Sequence, residues 1–361
     1  MYRIFGNVLK VHQPTLRTDE EPVAGMKSAA PRAGELGMLK SVAVAGFAVS
    51  ALAFGTTNAA SNAAPRAELE NMRGAALIEY AAQPYIQYRE DIDHVASGIP
   101  DSEESMRDAY YRLASHDNRT MAASWIAYAA MIAADTPAFH DAVAAETRRR
   151  GGARRFSEQI EADPASVRAI PGAEEAIAAI MQFATNDAAR IRGVGDTFIA
   201  EAYDMQREPW ARRAIAMDGM SRVDAALRFA ASREWKAAAH QPVTSRSGAV
   251  KPTLASTTSW SSDWSSVNEP VNQAARPGTI VAKALVLGVH YILDDAEQSH
   301  LASYGTSRRS ERCFTNAQMN LDQCIAATRT PYEEAFCLGQ HALNDMSSCV
   351  GWPAGASASG S

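Results

Sequence analysis

The sequence predicts an all-α fold, a multi-helix array or bundle that ends in a disulfide-stapled helical hairpin, and three observations lead to that prediction. The chain has 361 residues, of which 47% are hydrophobic and 21% charged, and this composition is typical of a globular protein. No run of alternating β-branched residues predicts a strand, whereas alanine-rich stretches with polar capping residues predict helices. All four cysteines lie after residue 312.

The N-terminal region predicts export. Lys40 precedes the apolar run 41–55 and the small residues up to Ala59, which is the layout of a cleavable secretory signal. We interpret residues 38–59 as a signal peptide and residues 1–37 as an extension from a start codon assigned too early. The run is shorter than the ~20 residues of a spanning helix, so we expect no stable transmembrane anchor after cleavage. A retained anchor is the alternative. The expected location is the periplasm or the outside of the cell.

Residues 60–237 predict an alanine-rich helical domain. Acidic and capping residues mark helix starts near Asp101 and at Thr136, and the pair Gly151 and Gly152 marks a helix end. Apolar spacing and punctuating glycines and prolines predict three further helices, over about 171–192, 196–206 and 210–235.

The composition changes at residue 238. Residues 238–278 are rich in Ser, Thr, Pro and Trp, which predicts a linker or a functional loop. Trp260 and Trp264 within it could stack on carbohydrate or could anchor the loop to the helical body. Residues 279–350 predict a C-terminal helical segment, and residues 351–361 predict a disordered tail.

The cysteine positions predict two nested disulfides. An even number of cysteines in an exported chain indicates disulfides rather than a thiolate metal site or a redox pair. Four cysteines allow three pairings. Pairing Cys313 with Cys349 and Cys324 with Cys337 gives both bridges nearly the same midpoint, at Pro331. Two helices that fold back on each other at this proline would bring both pairs together.

The residues around that midpoint predict the start of the second hairpin helix. Thr330, Pro331 and Glu333 match the N-cap, N1 and N3 positions of a capping box. The arrangement resembles the twin-cysteine helical hairpins in architecture. Its spacings of ten and eleven intervening residues differ from the nine of the familiar type, so the resemblance implies no function.

The charge distribution bears on partners. The net charge of −6 argues against nucleic-acid binding, which needs a basic face. One basic cluster could dock on an anionic surface such as lipid or polysaccharide, or could complement the dipole at a helix end. It comprises Arg148, Arg149, Arg150, Arg154 and Arg155.

Histidines and acidic residues around the start of the hairpin predict a candidate metal site. His290 and Asp294 are four residues apart, and Glu297 and His300 are three apart, so each pair would share a helix face. His341 and Asp345 repeat the first spacing inside the hairpin, and together these residues could hold Zn²⁺. The alternative is a helix end with solvated acids and a core histidine at His290.

Two functional hypotheses follow. The first is an exported, non-catalytic helical protein of the bacterial cell envelope, without a cofactor, that binds an envelope protein or a polysaccharide or acts as a scaffold. The second is a periplasmic metal-binding protein or hydrolase that uses the His/Asp/Glu cluster near residues 290–300 and 341–345. The sequence contains none of the common nucleophile, phosphate-binding or haem-attachment motifs, and its catalytic residues, if it has any, are unknown.

Overall fold

The computed structural model of the protein describes residues 71–98, 100–233 and 277–354. The predicted extension, the predicted signal peptide, Trp260, Trp264 and nearly all of the predicted linker lie outside these ranges.

The described chain is mostly helical and contains no strand, which confirms the predicted all-α class. The first seven helices are α1 (Gly74–Ala96), α2 (Glu103–Ala114), α3 (Asn118–Ala134), α4 (Pro137–Arg149), α5 (Ala153–Ala162), α6 (Ala173–Met205) and α7 (Gly219–Ser232), with a 3-10 helix (Pro164–Ala169) between α5 and α6. The C-terminal region holds α8 (Pro277–Leu293), α9 (Gln298–Tyr304), α10 (Arg308–Ala327), α11 (Pro331–Cys337), a π-helix (Leu338–Asp345), α12 (Met346–Gly351) and a 3-10 turn (Trp352–Ala354).

The centre of the fold is the packed pair of helices α3 and α8. From Ile280 to Val289 the apolar residues of α8 are at most 1% exposed, as expected for a helix that is hydrophobic on every face. The two backbones approach closely at Gly288, which has no side chain. A Cβ at this position would lie only 3.1 Å from the carbonyl oxygen of Ala130. Helix α1 packs against both. The chain on either side of the predicted linker therefore contributes to one core.

No helix in the described ranges combines the length and the apolar character needed to cross a membrane.

The long helix α6 corrects one sequence prediction. Gly193 and Gly195 were expected to separate two helices, but α6 runs through both as a single 33-residue helix. The reason lies in packing: a Cβ at Gly195 would lie 2.3 Å from Asn344 Oδ1 and 2.9 Å from the carbonyl oxygen of Gly339. Gly195 thus permits a close crossing of α6 with the π-helix rather than a helix end.

Helix α7 is shorter than predicted. The sequence predicts a helix over about 210–235, whereas the helix begins at Gly219 and ends at Ser232. It begins there because the Asp218 carboxylate accepts a hydrogen bond of 3.0 Å from the backbone N–H of Ser221, a typical N-cap interaction.

The C-terminal hairpin has the predicted disulfides. Cys313 pairs with Cys349 and Cys324 with Cys337, at Cα–Cα distances of 5.6 and 5.7 Å. Helix α11 begins at the predicted proline, and the Glu333 carboxylate accepts a hydrogen bond of 3.0 Å from the backbone N–H of Thr330. Both the pairing and the glutamate half of the capping box are confirmed.

The second arm of the hairpin contains a π-helix that the sequence did not predict. The cysteines of α10 are eleven positions apart in sequence, and those of the second arm are twelve positions apart. In an α-helix twelve residues turn about 100° further than eleven, which would move Cys349 off the face of Cys337. A π-helix takes more residues per turn, so residues 338–345 absorb the extra residue. The helical chain continues to Ala354, so the first four residues of the predicted tail are helical and the rest lie outside the described ranges.

We expect the two disulfides to stabilise the hairpin unequally. Loss of loop-closure entropy in the unfolded chain gives about 4 kcal/mol for the outer bridge and about 3 kcal/mol for the inner one, because they span 36 and 13 residues. Urea unfolding of the double variants Cys313→Ala/Cys349→Ala and Cys324→Ala/Cys337→Ala tests this order. A larger loss for the inner pair would contradict it.

Candidate functional site

His290 lies in the last turn of α8 and is fully buried. Its Nδ1 is 2.9 Å from Asp295 Oδ1, so Nδ1 donates its proton to the carboxylate. This leaves Nε2 with a lone pair, and Nε2 has no hydrogen-bond partner. His290 is therefore a core histidine, as the alternative interpretation of the sequence expected, but only one of its two nitrogens is satisfied.

Asp294 does not share a helix face with His290, which corrects the expected spacing. Helix α8 ends at Leu293, and Asp294 has a left-handed backbone conformation with φ of 54°. Its Oδ1 accepts a hydrogen bond of 2.8 Å from the backbone N–H of Ala75, at the start of α1. Asp294 thus caps another helix, and Asp295 takes the place beside His290.

His300 lies close to His290, and the backbone of Glu297 holds the His300 ring. The backbone N–H of Glu297 donates to His300 Nδ1 at 3.1 Å, and His300 Nε2 is 3.2 Å from Glu161 Oε1. The neutral ring therefore carries its proton on Nε2. Burial, reinforced by neighbouring His290, lowers the pKa of His300 below its ordinary value, against the opposing effect of Glu161. A lowered pKa favours a neutral ring at pH 7.

Glu161, His290 and His300 form the cluster of potential metal ligands. Each offers one ligand atom, and the three atoms lie within 4.8 Å of one another. The two imidazole rings are stacked, with centroids 3.8 Å apart and planes inclined by 19°. Sequence reasoning missed Glu161 because it lies on α5, 129 residues before His290, and nothing in its local sequence distinguishes it from other surface glutamates.

His341 and Asp345 lie elsewhere, on the π-helix. Their predicted spacing does bring them together, with His341 Nδ1 2.8 Å from Asp345 Oδ2. Asn320 Nδ2 donates to the same oxygen at 3.1 Å. The hydrogen-bond partners of these two residues are in the hairpin rather than in the cluster around His290. The candidate residues thus form two separate groups, not one joint zinc site.

Asp345 also lines a cavity of about 380 Å³ between α10, α6 and the second arm of the hairpin. Four of the lining residues carry side-chain amides, and the outer disulfide forms part of the wall. The lining comprises Arg192, Cys313, Asn316, Ala317, Asn320, Gln340, Asn344, Asp345, Ser348 and Cys349. Sequence reasoning missed this cavity because the amides are spread over two helices and none belongs to a recognised motif.

The arginine cluster lies at two helix ends. Arg148 and Arg149 are in the last turn of α4, as the helix-end interpretation expected, whereas Arg154 and Arg155 are in the first turn of α5, where the helix dipole does not favour a positive charge. Arg149 and Arg150 both pair with Glu146, at 2.6 and 2.8 Å, and Arg154 pairs with Glu158 at 3.0 Å. Two glutamates therefore neutralise part of the positive charge that the sequence shows there. Docking on an anionic surface stays a prediction.

Comparisons with protein-family models, curated proteins and solved structures find no match to this chain.

We expect Asp345 to stabilise the fold at neutral pH. Burial alone would raise the pKa of Asp345, but hydrogen bonds from His341 and Asn320 outweigh it and lower the pKa below its ordinary value. Because the pKa of Asp345 is lower in the folded than in the unfolded state, the ionised carboxylate adds to the free energy of unfolding. This stabilisation is complete above about pH 4, the pKa of an aspartate in the unfolded chain, and it is lost as the pH falls through the pKa of the folded state.

Urea unfolding of the wild type and of Asp345→Asn between pH 2 and pH 7 measures this contribution. The difference in unfolding free energy is expected to shrink with acidification. Asp141→Asn is the control, because the Asp141 side chain is 85% exposed. A difference for Asp345→Asn that does not change with pH would contradict the assignment.

Proposed function

We propose that this chain is an exported, non-catalytic helical protein of the bacterial cell envelope, and that it binds a small hydroxyl-rich ligand, a saccharide unit, in the cavity of its C-terminal hairpin. The observation that carries the proposal is the lining of that cavity, where four residues with side-chain amides surround about 380 Å³ of space. Ligand pockets in proteins range from about 300 to 1,000 Å³, so a monosaccharide fits.

The chemistry of the lining favours hydroxyl groups. A side-chain amide offers both a donor and an acceptor, as a hydroxyl does, so the amide of Asn316 can bond to two neighbouring hydroxyls of a sugar ring. Asn320 and Asn344 already donate to Asp345 and Asp196. Arg192 adds donors and Asp345 adds acceptors. The lining holds one positive and one negative side chain, which suits a neutral ligand better than an ion.

The hairpin also supports the cavity mechanically. The outer bridge, Cys313 to Cys349, belongs to the wall and joins α10 to the second arm. Because the covalent link limits the separation of the helices, binding needs little additional ordering of the backbone, and preorganisation of this kind favours affinity. The π-helix contributes Gln340, Asn344 and Asp345 to the lining, and π-helical segments occur frequently at functional sites.

Two further features support an envelope location. The disulfides are typical of an oxidising compartment, and residues 38–59 have the layout of a secretory signal. Polysaccharide is among the partners that the sequence predicts, and Trp260 and Trp264 offer aromatic faces on which sugar rings could stack. These tryptophans lie outside the described residues.

Titration of the purified protein with glucose, galactose, mannose and N-acetylglucosamine tests the proposal, with side-chain amide NMR signals as the readout. We expect at least one sugar to shift the amide signals of Asn316 and Asn320. Asn316→Leu and Asn320→Leu are expected to weaken that binding at least tenfold. Gln318→Leu is the matched control on the same helix, because Gln318 bonds to Asp322 and does not line the cavity.

Three results would overturn the proposal. The first is that none of the four sugars binds. The second is that the leucine variants at the cavity bind as well as Gln318→Leu does. The third is that a zwitterionic probe such as glycine or glutamate shifts the same amides while the sugars do not, because Arg192 and Asp345 would then serve as an amino-acid site.

A further inference from the structure

We infer that Glu161, His290 and His300 form a site for a divalent transition-metal ion, with Zn²⁺ as the representative ion. This site is independent of the hairpin cavity, shares no residue with it and does not rest on the proposed saccharide function.

The strongest argument is the state of His290 Nε2. A buried polar atom without a partner destabilises the folded state, and Nε2 is such an atom on a fully buried residue. At the same time Asp295 holds the ring by Nδ1 at 2.9 Å. A carboxylate on one imidazole nitrogen with a free lone pair on the other is the usual arrangement of a histidine that binds a metal, because it fixes both tautomer and orientation.

The other two residues complete a donor set. Two imidazole nitrogens and one carboxylate oxygen, all within 4.8 Å of one another, make the His₂Glu combination that zinc uses where a fourth position stays open for water. Imidazole and carboxylate together favour zinc and neighbouring first-row ions over calcium or magnesium, which prefer oxygen ligands.

The site is open to solvent on one side. The side chain of Glu161 is 44% exposed and that of His300 is 11% exposed, whereas His290 lies at the bottom, fully buried. An ion can therefore enter past Glu161, whose charge attracts cations, and reach the buried nitrogen last.

Binding requires His300 to turn. The lone pair of an imidazole lies in the plane of its ring, and the planes of the two stacked rings are inclined by only 19°, so one ion cannot lie in both planes. His300 is the ring that moves, because His290 is fixed by Asp295. The turn breaks the stack, the bond of 3.1 Å from the Glu297 N–H to His300 Nδ1 and the bond of 3.2 Å between His300 Nε2 and Glu161. Bonds from His300 and Glu161 to the metal replace them.

Isothermal titration of the purified protein with Zn²⁺ tests the site, together with ¹⁵N NMR of the imidazole nitrogens. We expect one ion per chain, with His290 Nε2 and one nitrogen of His300 shifted to metal-bound values. His290→Ala and His300→Ala are expected to abolish binding. Because His290 is buried in the core, Glu161→Gln provides a variant that keeps shape and fold, and at least a tenfold loss of affinity is expected. Asp295→Asn is expected to lower affinity about 10–100-fold.

Two histidine variants serve as matched controls. The His140 side chain is 54% exposed on α4, and His341 belongs to the hairpin, so His140→Ala and His341→Ala are expected to bind Zn²⁺ as the wild type does. The inference fails if the wild type binds no Zn²⁺, if Glu161→Gln and His300→Ala bind it with unchanged affinity, or if His341→Ala abolishes binding. Failure here leaves the saccharide titration unaffected, since that experiment contains no metal.

Discussion

The need to bury α8 determines how the helices around it are arranged. Apart from Lys283, which donates to the carbonyl oxygen of Thr306, the middle of this helix is apolar, so it is stable in water only when other helices surround it. Helices α1 and α3 from the N-terminal half supply part of that cover, and α3 is itself buried along nearly its whole length. The end of α8 carries His290 into the interior. A histidine that a less apolar helix would leave at the surface is therefore enclosed beside α5 and α9.

The disulfide hairpin shows a second constraint, which concerns register. Bridges at two levels join two helices only if the cysteines of each helix recur on the facing side. The cysteines of the first arm meet this condition because they are eleven positions apart, which is close to three turns. Those of the second arm are twelve positions apart, and the π-helix at residues 338–345 returns Cys349 to the side that faces the first arm. The same widened turn holds Gln340, Asn344 and Asp345 at the cavity, so the segment that satisfies the cysteine spacing also supplies polar groups for a ligand.

Sequence reasoning succeeded where local signals and geometry agree. The helix start at Pro331 and the pairing of the cysteines follow from short-range capping and from a shared midpoint, and both are confirmed. It was wrong where tertiary contacts override local propensity. Gly195 predicts a break by itself, yet it lies inside a continuous helix because Asn344 and Gly339 approach it closely. The sequence around Gly195 gives no sign that the π-helix will pack against it.

The candidate sites show the same division. The sequence predicts that His290 and His300 belong to one site, and it also predicts that Asp294 shares a helix face with His290. Instead, the left-handed conformation of Asp294 ends the helix, and Asp295 lies beside the His290 ring. Glu161 could not be predicted from the sequence, since its place beside the two histidines depends on how α5 packs against α8 and α9. A three-residue site drawn from two distant segments becomes visible only when the core is assembled. The burial of the apolar helix α8 is thus what brings the potential ligands together.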